Sequence, residues 1–187
     1  MKPAILALCS MLFITYSVIA SNKHNEEQFS NLVNHKSWKE TFKDKGNKDW
    51  QSLWFADGKQ NTIVNSDKGM TFSSGSKEWD PAHHGVLWTK QSFEGDVKIE
   101  YDYTRHDTEH KWVNILYIQA SGTGAEGYDT DIAKWSSLRE IPMMKTYFNH
   151  MNTLHISYAA YGRKDKGVNE DYVRARRYPV KSGQVFR

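Results

Sequence analysis

A chain of 187 residues, 39% hydrophobic and 25% charged, is sized for one domain and is not composed like a disordered segment. Its formal net charge of +3 lacks the basic stripe of a nucleic-acid binder, so no nucleic-acid partner is expected. The unusual quantity is aromatic, with 7 Trp, 10 Tyr and 8 Phe.

Residues 1–20 read as a secretory signal peptide. Met1-Lys2 is a positive start, Ala4 to Ile19 an apolar run, and Val18-Ile19-Ala20 a small-residue cleavage site. The run is short for a membrane span and gives way to the polar Ser21 to Glu27, so no membrane contact is expected after cleavage. The lone Cys9 lies inside this leader, with Leu8 before it where a lipoprotein signal needs a small residue. A mature chain of 21–187 would be secreted or periplasmic and would have neither a disulfide nor a zinc–thiolate site.

Residues 21–48 form a polar N-terminal arm, with one short helix expected through Phe29, Leu32, Val33 and Trp38. From 49 to 187 the texture is that of one β-sandwich domain. Trp50, Leu53, Trp54 and Phe55 lead into Asp57-Gly58, a hairpin-type turn, and Asn65 to Gly69 is a second turn before Met70-Thr71-Phe72. Strands are expected at 84–91, 95–105 and 111–121, the first two joined as a hairpin by Phe93-Glu94-Gly95-Asp96. Alternation assigns Val97, Ile99, Tyr101 and Tyr103 to the core. The glycine-containing stretch 122–152, helix-compatible at 131–138 and 143–151, is long enough to be a functional wall or lid. Strands return at 153–161 and 171–178. The expected class is all-β, a jelly-roll sandwich with a short helical insertion.

With Leu116, Ile118, Leu154 and Ile156 taken as core, the opposite sheet face collects Glu100, Asp102, Tyr117, Gln119, His155 and Ser157. One account is a solvated face; the other is a site. Carboxylates two apart on a strand lie ~6.6–7 Å apart, a spacing that glycoside hydrolysis can use. The third acid of a laminarinase-type strand is absent, because Arg105 stands there. His155 is either a structural hydrogen-bonder or a general acid or base. With Tyr147, His150, Tyr158 and Tyr161 near it in sequence, it suits β-elimination on uronic-acid sugars, where Arg139, Arg174 or Gln119 would neutralise the substrate carboxylate. Tyr158 lies three residues from His155, so a regular strand puts them on opposite faces, and a bulge or the use of Tyr161 is required. Trp50, Trp54 and Trp88 are assigned to the core, and Trp112 and Trp135 to stacking on sugar rings. Asp129-Thr130-Asp131 reads as a helix N-cap, since it lacks the glycine and distal glutamate of a calcium loop. His83-His84 and His106/His110 have no third ligand, so no catalytic metal and no cofactor are expected, a structural calcium being left open.

The runs His84-Gly85-Val86-Leu87-Trp88, Phe93 to Val97, Tyr101-Asp102-Tyr103 and Tyr147 to Tyr158 resemble the YesU-like family, a domain of unknown function in the concanavalin A-like lectin/glucanase superfamily. The similarity spans roughly 50–178 and rests on Trp88, Asp102, Gly122, His155, Ser157, Tyr158 and Arg174. It implies a jelly roll and a setting of bacterial polysaccharide breakdown, and it supplies no mechanism. Two features depart from the family: Gln119, and the end of the chain directly after a strand, where family members run on. Either the N-terminal segment supplies the closing strands or the domain is C-terminally truncated. The expected function is action on a polysaccharide or oligosaccharide partner, as a lyase on acidic polysaccharide. The alternatives are a non-catalytic carbohydrate-binding module and a glycoside hydrolase using Glu100 and Asp102.

Overall fold

A computed structural model of the chain describes residues 23–34, 37–107, 113–135, 137–160 and 171–179. The expected signal segment, Trp112, His110, Tyr161 and the last residues of the chain lie outside these. The chain divides into two compact units, Met1–Lys43 and Asp44–Arg187. In the first, a helix (α1) covers 23–34, and the Trp38 indole donates to the Val33 carbonyl at 3.2 Å, closing the chain back on the helix end.

The second unit is built mostly of antiparallel strands with few, short helices. Strand β1 (Trp54–Asp57) pairs with β4 (Val86–Thr89), and β2 (Thr62–Ser66) pairs with β3 (Gly69–Ser73). The sheet β5–β6–β7 comprises Asn114–Gly122, Met151–Ala160 and Tyr172–Tyr178. Between β5 and β6 lie a 3-10 turn (Ile132–Lys134), α2 (Ser137–Glu140) and α3 (Met144–His150), as the helix-compatible stretches predict. Asp131 caps the 3-10 turn as expected, accepting from the Ala133 amide at 2.9 Å.

The turn expected at Asp57-Gly58 exists, with Gly58 at φ +94°, but it closes no hairpin, because β1 pairs with β4. The Asn61 amide donates to the carbonyls of Asp57 (2.5 Å) and Gly58 (3.0 Å), and the Gly58 amide donates to carbonyls of α2. The chain is thereby turned against α2, away from a return along β1. The tight hairpin is instead β2–β3, where Ser66 pairs with Gly69 across Asp67-Lys68.

The strand expected at 95–105 does not form. The segment joins no ladder, and Val97, Ile99, Tyr101 and Tyr103 are 42–51% exposed and not in the core. The Phe93–Asp96 hairpin is therefore absent as well. Period-two alternation says which side chains share a face; a strand also needs a neighbour's N–H and C=O groups to pair with.

The core is where the β1–β4 ribbon meets the β5–β6–β7 sheet. Trp88 of β4 stacks on Tyr117 of β5 at 5.5 Å and 21°, with Tyr147 of α3 tilted against both. Val86, Trp88, Trp135, Leu138, Tyr147 and Met151 are its buried apolar members, three of them from the 123–150 insertion. That insertion closes the core.

Candidate functional site

The phase of the β5–β6–β7 sheet is the reverse of the sequence expectation. Met151, Thr153, His155 and Ser157 of β6 are buried, whereas Leu154 is 42% exposed. In the ladder Tyr117 faces His155 and Ile115 faces Ser157. On the other side His155 faces Arg176, Ser157 faces Arg174 and Thr153 faces Tyr178. Residues directly opposed in an antiparallel pair share a face. One inner face therefore holds Tyr117, His155, Ser157, Arg174, Arg176 and Tyr178, packed toward the aromatic core. The apolar residues of the other phase, with Tyr158, point outward.

His155 sits in an aromatic box. Tyr117, Phe148 and Tyr178 each present an edge-to-face contact at 5.5, 5.5 and 5.3 Å, and Phe148 stacks on Tyr178 at 4.7 Å. Burial, together with the charges of Arg176 and Arg174, lowers its pKa to about 4. The imidazole is thus neutral at neutral pH, and its buried Nδ1 has no hydrogen-bond partner among the described residues. The Tyr117 hydroxyl is pushed well above its ordinary pKa by burial, so it stays protonated.

The two inner arginines are each held by a tyrosine. The Arg174 guanidinium lies over the Tyr172 ring at 4.7 Å, and its Nη2 donates to the Tyr172 hydroxyl at 3.0 Å. Arg176 Nη1 donates to the Tyr178 hydroxyl at 3.4 Å. Among the described residues neither arginine is paired with a carboxylate.

The other expected site residues are placed elsewhere. Arg139 is committed to Asp57: its Nη1 pairs with Asp57 Oδ1, its Nη2 donates to the carbonyls of Ile132 (3.1 Å) and Ala133 (3.0 Å), and its guanidinium covers the Phe55 ring. Tyr147 donates to Asp57 Oδ2 at 2.6 Å and is 1% exposed. Trp135, 4% exposed, packs into the core with its indole on the Asp129 carbonyl at 2.8 Å, so its ring presents no sugar platform. His150 stacks flat on Tyr128 at 3.6 Å.

Gln119 has φ +59° in the irregularity where the β5–β6 register shifts, and it is exposed. The β6–β7 register does shift between Ser157 and Ala160, but Tyr158 still pairs with Asn114 of β5, and its ring meets Tyr101 and Tyr103 on the far side of the sheet. Glu100 is exposed and paired with Lys98 at 3.0 Å, and no contact among the described residues joins Glu100 or Asp102 to His155. Tyr161 and Trp112 lie outside the described residues.

Sequence reading did not single out Arg176, Tyr178 or Phe148. The available signal was the alternation Tyr172, Arg174, Arg176, Tyr178 in β7, which puts two cations between two tyrosines on one face. No group of three or more His, Cys, Asp or Glu side chains suited to a metal occurs among the described residues. No family model, curated protein or solved structure matches this chain.

Proposed function

We propose that the inner face of the β5–β6–β7 sheet acts on an acidic polysaccharide and cleaves it by β-elimination. The observation that carries this reading is the cross-strand pair of neutral His155 and Arg176, with Arg174 two residues from Arg176 on β7 and meeting no carboxylate among the described residues. A carboxylate seated on Arg176 makes the adjacent carbon more acidic, because the developing enolate charge is held by the guanidinium. His155 accepts the proton from that carbon, and the released electron pair forms the C=C bond as the C–O bond to the leaving sugar breaks. The Tyr178 hydroxyl, which accepts from Arg176 and belongs to a ring that meets His155 edge to face, returns a proton to the leaving oxygen. Arg139 and Tyr158, expected in these roles from sequence, give way to Arg176 and Tyr178. The reading carries with it a concanavalin A-like jelly roll and secretion after removal of 1–20.

The test is absorbance near 235 nm while the full chain is incubated with polygalacturonate, alginate and chondroitin. Growth of unsaturated product that His155→Ala abolishes, in a variant that keeps its thermal transition, supports elimination. A specific observation favours a second reading, binding without chemistry: His155 is 2% exposed, and a substrate proton must come within hydrogen-bond reach of its ring. Binding of these polymers with no product from any of them would replace the lyase with a carbohydrate-binding module.

A further inference from the structure

Arg174 and Arg176 occupy alternate positions of β7 and therefore point the same way, ~6.6–7 Å apart by strand rise. Both are only partly exposed, and neither meets a carboxylate among the described residues. A half-buried cation without a counter-ion is costly unless a ligand supplies one. Each is also oriented in advance: the Tyr172 ring supports Arg174 at 4.7 Å, and the Tyr178 hydroxyl fixes Arg176 at 3.4 Å. Arg174 keeps a further donor in reserve, since its buried Nε has no hydrogen-bond partner among the described residues. A guanidinium binds an oxyanion through a planar fork of donors, so a stacked arginine with a free Nε edge is set for a carboxylate or a sulfate. Arg177, the next cation along, is exposed and lies on the opposite face of the strand, which makes it an internal comparison.

We infer that this face takes glycans bearing two anionic groups on one sugar or on adjacent sugars, one seated on Arg176 and the second on Arg174. The inference rests on the proposed anionic-glycan site and narrows its substrate class. Arg176, beside His155, holds the carboxylate of the sugar undergoing elimination. Arg174, beside Ser157, is the specificity-determining residue, and it reads the second carboxylate or a sulfate ester.

The experiment compares unsulfated chondroitin, with one anion per disaccharide, against chondroitin sulfate, with two. The affinity of the full chain is measured by calorimetry at fixed salt, with 235 nm absorbance followed in parallel. The wild-type chain binds the sulfated polymer about tenfold more tightly, the effect of one charge-assisted contact. Arg174→Gln reduces that preference to within about twofold, while Arg177→Gln keeps the preference. Arg174→Lys, which retains the charge and loses the fork, falls between them and guards against a folding defect in the glutamine variant.

Equal losses in Arg174→Gln and Arg177→Gln would reduce the effect to bulk charge and overturn the inference, as would a preference that survives Arg174→Gln. If unsaturated product forms but no preference depends on Arg174, the inference fails and the lyase reading stands. If the preference depends on Arg174 but no product forms, the lyase reading fails and the inference stands. Binding to neither chondroitin polymer overturns the inference and leaves the lyase reading to the polygalacturonate and alginate assays.

Discussion

Asp57 and His155 are both ionisable and almost wholly buried, at 1% and 2% exposure, yet their surroundings differ in kind. Asp57 is held on both oxygens: the Trp88 indole and the Tyr147 hydroxyl donate to Oδ2 at 2.8 and 2.6 Å, and Arg139 is ion-paired with Oδ1. His155 is surrounded by rings and arginines, with Nδ1 unmatched among the described residues. Buried groups with a full set of partners hold a fold together, whereas buried groups lacking one mark places where a ligand or a proton can be exchanged. Tyr147→Phe removes one donor from the Asp57 carboxylate while keeping the ring that packs on Trp88. It should lower unfolding stability by about 1.5–3 kcal/mol, the range for a hydrogen bond to a charged group, read from urea melts. A loss below about 0.5 kcal/mol would mean that Trp88 and Arg139 suffice for Asp57. Asp57 was legible only as part of a turn dipeptide, because its three partners come from β4, α2 and α3, far away in sequence.

Strand β6 shows why element boundaries and element faces are separate questions. The positions of β4 to β7 follow from alternation and turn residues to within a few residues at most ends. The facing of β6 does not. Its two phases are Thr153, His155, Ser157 and Leu154, Ile156, Tyr158, and hydropathy favours burying the second. The folded chain buries the first, because Trp88 and Tyr147 pack against Tyr117 on that face, and the rings of Tyr117, Phe148 and Tyr178 meet the His155 imidazole edge to face. The second phase is partly covered as well, by Tyr101 and Tyr103 over Tyr158.

The insertion is held just as specifically. At the end of β5 the Gly122 amide donates to Thr130 at 2.9 Å, and a Cβ there would run into the Asp129 carbonyl and lie 2.8 Å from the Trp135 ring. Gly122→Ala should therefore push the 128–135 segment off the sheet, costing about 1–3 kcal/mol as overpacking does. The check is a red shift of tryptophan emission as Trp135 gains solvent, together with a lower melting temperature. Unchanged emission with unchanged melting would show that the segment gives way without strain.

At the scale of the whole molecule, the depressed pKa of His155 becomes a pH dependence of stability. The unfolded chain takes up the proton near pH 6.5, and the folded chain only near pH 4. Between these values the unfolded state binds more protons, so stability is full above pH 6.5 and falls as pH drops toward about 4. The loss attributable to this residue is up to about 3 kcal/mol, from the size of the shift. Urea melts of the wild-type chain and His155→Gln at pH 7.5, 5.5 and 4.5 measure it as the difference between the two curves. Parallel curves would show that His155 titrates as an exposed imidazole does.

The sequence by itself determined an antiparallel β-rich unit, a helical interruption between two long strands, and the cap at Asp131. These follow from local rules: period, turn chemistry and capping act over a few residues. Only the tertiary structure decided that β1 pairs with β4, that 95–105 joins no ladder, that Arg139, Tyr147 and Trp135 serve the core, and that Arg176 and Tyr178 stand beside His155. Each of those outcomes depends on which surface is packed against a given face, and period-two alternation is equally compatible with either face being inside.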